Sequence, residues 1–422
     1  MKKVVIAFLS FVLAVGFIGC SKKQSAENTI TYMRWGNPSE VASTKELIAL
    51  FEKQHPDIKV DFQSESWGAY WDKLQTLLAA GDAPDVFLLG ATYVVDFFNV
   101  GAIKDLTPLI KKDNFDLSDF FDPPKKVFTF NGDLYGLPRD INSIVLYYNK
   151  NLFDEAGVSY PNKNWTWQDI VEKGKKLTRD LDGDGTPDIW AIQIINDFET
   201  GWGNFLYQNN GHLLNPKKTK CLLYENQAID TFNFLYSLSS KLKIAPRSAQ
   251  QASLGDEPFL TGKLAMNIAG SWLLGHYTSA INSFNWDVEE LPKGKIKATI
   301  ANGVANVMAS SSKHPEKAWE FIKFLSGKEA QTALAKSGTS IPVRKSIAYS
   351  PVFLDGHPAN KKAVLDSIAF GRNYPTTAKL GEWLQAIVLR EIDYIFMGKK
   401  SPREALTTAA NLVDKQLHEQ QK

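Results

Sequence analysis

Aromatic and polar side chains stand together at the ends of three predicted strands. Trp35 and Asn37 follow the first strand, Glu65 and Trp67 follow the second, and Tyr93 follows the third. Aromatic rings can pack on the apolar C–H faces of a pyranose, while amide, hydroxyl and carboxylate groups can hydrogen-bond its rim. Either tryptophan alone could equally be a packing residue of the core. Three such clusters at one sheet edge favour a carbohydrate site.

The sequence around these residues predicts a parallel α/β arrangement. Apolar residues alternate or run continuously over 29–35, 58–62 and 86–89, as they do in strands, and recur at helical spacing over 40–54 and 70–80. The order strand, helix, strand, helix, strand implies parallel strands with crossover helices. Ligands of open α/β sheets bind beyond the carboxyl ends of the strands. The three clusters are therefore expected to share one edge of a sheet.

Common catalytic motifs are missing from the sequence. It has no Gly-x-Ser-x-Gly elbow, no phosphate loop and no dinucleotide fingerprint, and no pair of its histidines has the spacing of a helix-borne zinc site. An exported glycoside hydrolase is the enzymatic alternative, because that chemistry needs only two carboxylates facing one bond. Glu65, Asp140 and Glu257 are available for it, but the sequence gives no distances. We expect a protein without catalysis and without a required cofactor.

An aspartate-rich segment over residues 180–188 is similar to the first half of a calcium-binding loop. Aspartates occupy positions one, three, five and nine of this loop, namely Asp180, Asp182, Asp184 and Asp188. Ala191 stands where the loop normally has a bidentate glutamate, and a strand is predicted where a helix would follow. A structural calcium ion is one expectation, and a solvated Asp/Gly turn is the other.

Composition limits the class of protein. The 422 residues are 44% hydrophobic and 22% charged, which excludes a disordered chain. The formal net charge of +2 is lower than a nucleic-acid-binding chain usually has. Two cysteines exclude a disulfide framework and a cysteine-rich zinc module. The length is compatible with about two to three domains.

The N-terminus predicts export. Two lysines precede an apolar run that ends at Gly19, so residues 1–19 form a predicted signal peptide. Residues 17–20 (Phe-Ile-Gly-Cys) resemble the bacterial lipobox, although Phe17 replaces the usual leucine. Cys20 is the expected lipidation site, and the polar residues 20–26 form a tether. An uncleaved membrane anchor is the alternative, and no second run is long and apolar enough to span a bilayer.

Seven short segments occur between about Ile30 and about Leu417. They are 83–87 (Ala-Pro-Asp-Val-Phe), 136–138 (Gly-Leu-Pro), 147–153 (Tyr-Tyr-Asn-Lys-Asn-Leu-Phe), 156–157 (Ala-Gly), 165–167 (Trp-Thr-Trp), 269–272 (Ala-Gly-Ser-Trp) and 341–344 (Ile-Pro-Val-Arg). In these segments, their order and the lipobox, the chain resembles the extracellular solute-binding proteins of bacterial ABC sugar importers, family 1, the maltodextrin-binding-like class.

The resemblance implies a two-lobed α/β fold of the type II periplasmic-binding-protein class. Each lobe would be a mainly parallel sheet flanked by helices, with the ligand cleft between the lobes. The first lobe would take residues 27–138 and 292–342, and the second 139–291 and 343–422. The lobes would close on a sugar by hinge bending, and permease subunits in the membrane would read the closed state. The expected protein is an exported, lipid-anchored monomer that faces either the periplasm or the extracellular side of the cell membrane, with no nucleic-acid partner.

The resemblance also suggests individual contact residues. Trp272 matches the stacking tryptophan of the family. Asn142 stands where maltodextrin binders carry an acidic contact, and Arg139 and Asp140 lie at the crossover, where they would touch the ligand or brace the hinge. The complete set of candidate ligand-binding residues is Trp35, Asn37, Glu65, Trp67, Tyr93, Arg139, Asp140, Asn142, Trp202, Trp272, Arg372 and Tyr374.

Two ligand hypotheses stay open. In the first, the protein is a receptor for a mono- or oligosaccharide. In the second, the same fold binds a polyol or an anionic sugar derivative. Arg34, Arg139 or Arg372 would then pair with the acid, because guanidinium groups match carboxylates and phosphates.

Overall fold

The computed structural model describes residues 27–419 of the chain. The predicted signal peptide 1–19, the lipidation site Cys20 and the tether 20–26 lie outside the described residues. Within the described range, no helix combines the length and the apolar character needed to cross a bilayer.

The elements fall into three consecutive stretches of chain. The first stretch contains β1 (Thr29–Trp35), α1 (Pro38–Gln54), β2 (Lys59–Glu65), α2 (Trp67–Ala79), β3 (Val86–Leu89), α3 (Val94–Asn99), α4 (Thr107–Lys112), α5 (Asp122–Val127), β4 (Thr129–Phe130), β5 (Asp133–Leu134) and β6 (Leu137–Pro138). The second contains β7 (Asp140–Asn149), α6 (Lys150–Glu155), α7 (Trp167–Leu177), β8 (Trp190–Ile192), a π-helical turn (Phe198–Trp202), α8 (Gly203–Gln208), α9 (Asn226–Ser240), α10 (Ser248–Leu254), β9 (Leu264–Gly270), a 3-10 turn (Ser271–Leu273), α11 (Leu274–Ala280), β10 (Trp286–Glu289) and β11 (Thr299–Asn302). The third contains β12 (Ala305–Met308), α12 (Pro315–Leu325), α13 (Lys328–Ser337), β13 (Ile341–Pro342), α14 (Lys345–Ala348), α15 (Pro351–Leu354), α16 (Lys361–Ile368), β14 (Gly371–Arg372), α17 (Leu380–Trp383), a second π-helical turn (Leu384–Leu389), α18 (Arg390–Phe396) and α19 (Pro402–Glu419).

The first sheet has the strand order β2-β1-β3-β12-β6. Its first three strands are parallel, as the sequence predicts, and β12 runs antiparallel to β3. Strand β3 is buried along its whole length, which fits its uninterrupted apolar run. Helix α1 begins at a capping box in which Asn37 and Glu40 bond each other's backbone amides. That cap fixes where the chain leaves the end of β1.

The second sheet has the order β14-β11-β7-β9-β8, and β10 and β13 also pair with β7. The expectation of a mainly parallel sheet is wrong here. Strand β7 is antiparallel to β9, β10, β11 and β13, and only the pairs β8–β9 and β11–β14 are parallel. The reason is that the ten-residue strand β7 leads the chain away from the first sheet, whereas the strands that pair with it lead back toward the first sheet.

The chain crosses between the two sheets at two neighbouring places. The first passes through Arg139, whose amide donates to the carbonyl of Val304 at 2.9 Å. The second passes through Gly303, where a Cβ atom would stand 2.3 Å from the carbonyl oxygen of Asp140. Only glycine fits this close approach. Because β11 belongs to the second sheet and β12 to the first, the chain returns at 303–304 rather than at 292. The rest of the predicted lobe division stays a prediction.

Candidate functional site

A cleft of about 560 Å³ opens between the two sheets. The segments that follow β1, β2 and β3 line one side of it. The start of β7, the end of β9, the end of β11 and the first π-helical turn line the other side. Ligand sites in α/β proteins commonly lie beyond strand ends, and pockets of this size are typical of small-molecule sites. The cleft is therefore the candidate functional site.

Three aromatic rings line the cleft on the side of the first sheet, and a fourth ring, that of Trp71, packs behind them. The rings of Trp35 and Trp67 meet edge to face with centroids 4.9 Å apart, and Trp35 lies 5.4 Å from Trp71. Trp71 in turn lies 4.0 Å from Tyr93. Trp71 is buried, whereas Trp67 is 48% exposed. Trp71 therefore supports the rings that line the cleft, and Trp67 offers its ring to solvent at the rim.

Trp272 supplies an aromatic surface on the opposite side. It lies in the 3-10 turn after β9, and its half-buried ring covers the backbone of Gly270. A Cβ atom at position 270 would stand 2.2–2.3 Å from three carbons of the indole. Glycine at 270 is thus what lets the ring lie there. Tyr374 adds a buried ring nearby, packed edge to face on Phe198 at 5.0 Å.

Two buried ion pairs form the floor of the cleft. Arg34 uses all three of its nitrogens, on the carbonyl of Trp35, on Thr44 and on Glu40 at 3.1 Å. Arg139 pairs with Asp140 at 2.6 Å, and Asp140 also accepts from the amide of Val304. Desolvation lowers the pKa of Arg34 and raises the pKa of Asp140, whereas the adjacent Arg139 guanidinium opposes the shift of Asp140.

Two buried polar atoms at the cleft have no hydrogen-bond partner among the described residues. They are Nη2 of Arg139 and Oδ1 of Asn142. Buried polar atoms are nearly always hydrogen-bonded in folded proteins, so each such atom needs an explanation. One is a donor and the other an acceptor. Together they could accommodate the oxygen and the O–H of ligand hydroxyls.

The π-helical turn brings two further carboxyl groups to the cleft. Asp197 caps this turn by accepting from the amide and hydroxyl of Thr200, and Glu199 accepts from Asn302 at 3.4 Å. Burial raises the pKa of Glu199 to about 7, and the charge of Asp197 adds to the shift.

Nine of the twelve candidate residues line the cleft: Trp35, Asn37, Trp67, Tyr93, Arg139, Asp140, Asn142, Trp272 and Tyr374. Their role as ligand contacts stays a prediction. The side-chain oxygen Oδ1 of Asn37 accepts a hydrogen bond in the cap of α1, which leaves the side-chain nitrogen Nδ2 for a ligand.

Three candidate residues lie elsewhere, which corrects their assignment to the cleft. Trp202 is fully buried, because the π-helical turn directs its indole into the core against Phe198. Glu65 forms an ion pair with Lys73 at 2.7 Å on α2. Arg372 is exposed on β14, outside the cleft lining.

Several polar residues of the cleft are missing from the predicted set. They include Asp197, Glu199, Thr200, Ser271, Asn302 and Ser340. Asp197 follows β8 and Asn302 ends β11, so the rule that strand ends carry site residues would have found both.

The aspartate-rich loop lies apart from the cleft and is exposed. Carboxylate oxygens of Asp180, Asp182 and Asp188 lie within 4.8 Å of one another. Asp184 is not part of this group, and its Oδ1 accepts from the amide of Thr186. Amides of Gly183 and Gly185 donate to Asp180 and lower its pKa. These bonds fit a self-capped turn equally well, so calcium binding stays a prediction.

Residues 35–332 match the family described as bacterial extracellular solute-binding protein. The chain belongs to this family. Its members are binding proteins that act outside the cytoplasm, so the chain is an exported solute-binding protein, as the sequence predicts.

Curated relatives of this solute-binding protein match along most of its length. The arabinooligosaccharide-binding protein of Bacillus subtilis (strain 168) is 26% identical over 347 residues, covering 78% of this chain and 77% of that protein. The galactooligosaccharide-binding protein of the same organism is 24% identical and covers 99% of this chain and 97% of that protein.

Solved structures share the fold. An ABC substrate-binding protein of Listeria monocytogenes, solved with cycloalternan, is 29% identical, with a TM-score of 0.85 over 92% of this chain and 99% of that one. The sugar-binding protein MalE of Xanthomonas citri is 26% identical, with a TM-score of 0.78 over 93% and 98% of the two chains. The fold is thus the two-lobed, type II periplasmic-binding-protein fold, as the resemblance implied.

Proposed function

We propose that this solute-binding protein captures a mono- or oligosaccharide in its cleft and delivers it to an ABC permease when the lobes close. The observation that carries the proposal is the pairing of aromatic rings on both walls with unpartnered polar atoms at the floor. Rings on opposite sides fit the two apolar faces of a pyranose, and Arg139 and Asn142 fit its hydroxyls. The names of the relatives, which are oligosaccharide-binding proteins, support the same class of ligand.

The proposal is tested by thermal unfolding of residues 21–422 against a panel of saccharides, polyols and sugar acids. A ligand at about 1,000 times its dissociation constant stabilises the folded state by about 4 kcal/mol, which raises the melting temperature by several degrees. Because a purified binding protein can retain its ligand, the scan is repeated after unfolding, dialysis and refolding. A panel without any shift in both scans would refute carbohydrate binding.

Catalysis is tested on the same samples. We propose that the bound sugar is released unchanged, because the chain belongs to a family of binding proteins. The carboxyl groups of Asp197 and Glu199, one with a raised pKa, are the feature that a glycoside hydrolase would need. Chromatography of the saccharide after prolonged incubation with concentrated protein should show no new product.

An anionic sugar fits the cleft poorly. Each nitrogen of Arg34 already donates a hydrogen bond, to Thr44, to Glu40 and to a backbone carbonyl, and the charges of Arg34 and Arg139 are offset by Glu40 and Asp140. Arg372 does not line the cleft. The sugar-acid members of the panel should therefore produce smaller shifts than their neutral counterparts.

We also propose that Cys20 carries the lipid that holds the monomer at the membrane. The support is the basic and apolar N-terminal segment, which ends in a lipobox-like Phe-Ile-Gly-Cys. Mass spectrometry of the protein from the membrane fraction should find diacylglycerol on Cys20. The Cys20→Ala variant should accumulate as an unprocessed precursor, whereas Cys221→Ala, which changes a buried cysteine, should be processed normally.

Calcium binding at the aspartate-rich loop is proposed as structural only. Three converging carboxylates suit a hard, oxygen-seeking ion. Addition of millimolar calcium should raise the melting temperature of the wild-type protein and not that of Asp180→Asn. Equal behaviour of the two proteins would identify the loop as a self-capped turn.

A further inference from the structure

The charges that line the cleft do not balance. The charged residues of the lining are two arginines and four acids, namely Arg34, Arg139, Glu40, Asp140, Asp197 and Glu199. Each arginine is matched by its own acid, Arg34 by Glu40 and Arg139 by Asp140. Asp197 and Glu199 are left over. Among residues 27–419, their side chains accept only from the neutral groups of Thr200 and Asn302.

The leftover carboxyl groups face a space that loses water when a ligand fills it. Titratable groups facing Glu199 are Asp197 on its own turn and Tyr374 on the segment after β14, and neither supplies a positive charge. The pKa of Glu199, raised to about 7 by burial and by Asp197, is the mark of a carboxyl group without a cation. Desolvation of such a group is costly unless the ligand supplies hydrogen-bond donors or an opposite charge, and an ammonium supplies both.

A second observation defines the rest of the ligand. Nη2 of Arg139, whose side chain is 2% exposed, has no partner and lines the cleft, as does Oδ1 of Asn142. These atoms and the rings of Trp35 and Trp272 suit a hydroxylated pyranose. A ligand that satisfies both observations has a sugar body and one positive charge.

We propose that the cleft binds a sugar carrying a protonated amine, which Asp197 and Glu199 hold in a charge-assisted contact. The inference rests on the proposed carbohydrate-binding function and narrows its substrate class. An ammonium donates up to three hydrogen bonds and offsets one of the two unmatched acidic charges, whereas a hydroxyl donates a single hydrogen bond and offsets none.

The test uses matched pairs that differ by an amine in place of a hydroxyl. The probes are D-glucosamine with D-glucose, D-galactosamine with D-galactose, and fully deacetylated chitotetraose with cellotetraose. Because the amines of these probes titrate near neutral pH, as α-amino groups do, calorimetry is carried out at pH 7.0 and low salt. It should find at least one amine that binds about tenfold or more tightly than its neutral partner, as a hydrogen-bonded charge pair implies.

Two variants test whether Glu199 contacts the ammonium group of the ligand. Glu199→Gln should reduce the preference for the amine over its neutral partner about tenfold. Glu257→Gln, an exposed carboxylate beside His276 that does not line the cleft, should leave the preference unchanged. Circular dichroism and the melting temperature of the unliganded variants check that both are folded.

The outcomes separate the two proposals. If neutral sugars bind and no amine binds more tightly, the inference is overturned and the carbohydrate-binding function stands. If an amine is preferred to the same extent in Glu199→Gln as in the wild type, the ammonium lies elsewhere and the assignment is overturned. If no sugar of either kind binds, both proposals fall.

Discussion

Gly270 controls the position of the Trp272 ring, and a Gly270→Ala substitution should therefore weaken sugar binding without removing any contact residue. The new Cβ atom would stand 2.2–2.3 Å from Cη2, Cζ3 and Cε3 of the indole, which is closer than real Cβ contacts come. The backbone at 270 is extended (φ −77°, ψ 152°), so alanine itself is tolerated there. The ring must then swing away from the cleft wall.

The expected loss of affinity follows from the contribution of an aromatic side chain to ligand binding. Truncation of an aromatic anchor typically costs about 1–3 kcal/mol of binding, which is about 5- to 150-fold in affinity. Gly270→Ala should lose a comparable amount, because a displaced ring no longer stacks on the sugar. The melting temperature of the unliganded protein should change little, since replacing glycine at an allowed conformation slightly favours folding.

Calorimetry with the saccharide that gives the largest thermal shift measures the effect. Trp272→Ala supplies the reference, and the double variant should bind no more weakly than Trp272→Ala alone, because both changes remove the same interaction. Gly68→Ala is the control, since a Cβ atom there meets nothing within 4 Å. Unchanged affinity in both Gly270→Ala and Trp272→Ala would place the indole among structural residues and refute the reasoning.

Three further predictions concern the ion pair of Arg139 and Asp140, the carboxyl group of Glu199 on the first π-helical turn, and the hydrogen bond between Asp96 and Lys379. Asp140→Ala should reduce the free energy of unfolding by about 3–5 kcal/mol in urea titrations, because it leaves the buried Arg139 uncompensated; a loss below 1 kcal/mol would contradict this. Folding raises the pKa of Glu199 to about 7, so the folded protein holds a proton that the unfolded chain has released. The unliganded protein should therefore lose stability through this group as the pH rises from about 5 to 7, and Glu199→Gln should flatten that part of the profile. Asp96 accepts from the amide of Lys379 across the cleft at 2.6 Å. Asp96→Ala should raise the ligand off-rate about 2- to 10-fold in stopped-flow experiments, whereas Asp96→Asn keeps an acceptor and should change it less.

The opening part of the fold was predictable because its signals are local. The apolar patterns of residues 29–89 specify strands and helices within one sequence window each, and parallel pairing follows from their order. The second sheet was not predictable in the same way. Its partners for β7 come from residues 264–270, 286–289, 299–302 and 341–342, and no local pattern states that these strands run antiparallel to β7.

The candidate site was partly predictable for a related reason. Strand ends point to Trp35, Trp67, Tyr93 and Trp272, because sheet geometry places them at the cleft whatever their partners are. The same reasoning failed for Trp202. This residue ends a π-helical turn that buries its indole in the core, and no sequence pattern predicts that turn. The state of Arg34 was also hidden, since its partners Glu40 and Thr44 become neighbours only after α1 folds onto β1.

Closure of the cleft must depend on ligand contacts with both walls. Two direct contacts already join the walls: the amide of Lys379 donates a hydrogen bond to Asp96, and the ring of Tyr93 packs on Gly381. A typical hydrogen bond contributes only about 1 kcal/mol net, so a few contacts of this kind cannot by themselves hold two lobes together. A ligand shifts the balance between open and closed states only by the difference in its affinity for them. A sugar stacked on Trp35 alone would bind equally well to both states. A sugar that also contacts Trp272 and the carboxyl groups of Asp197 and Glu199 on the opposite wall favours the closed state. The residues that select the ligand are therefore also the residues through which the ligand closes the lobes.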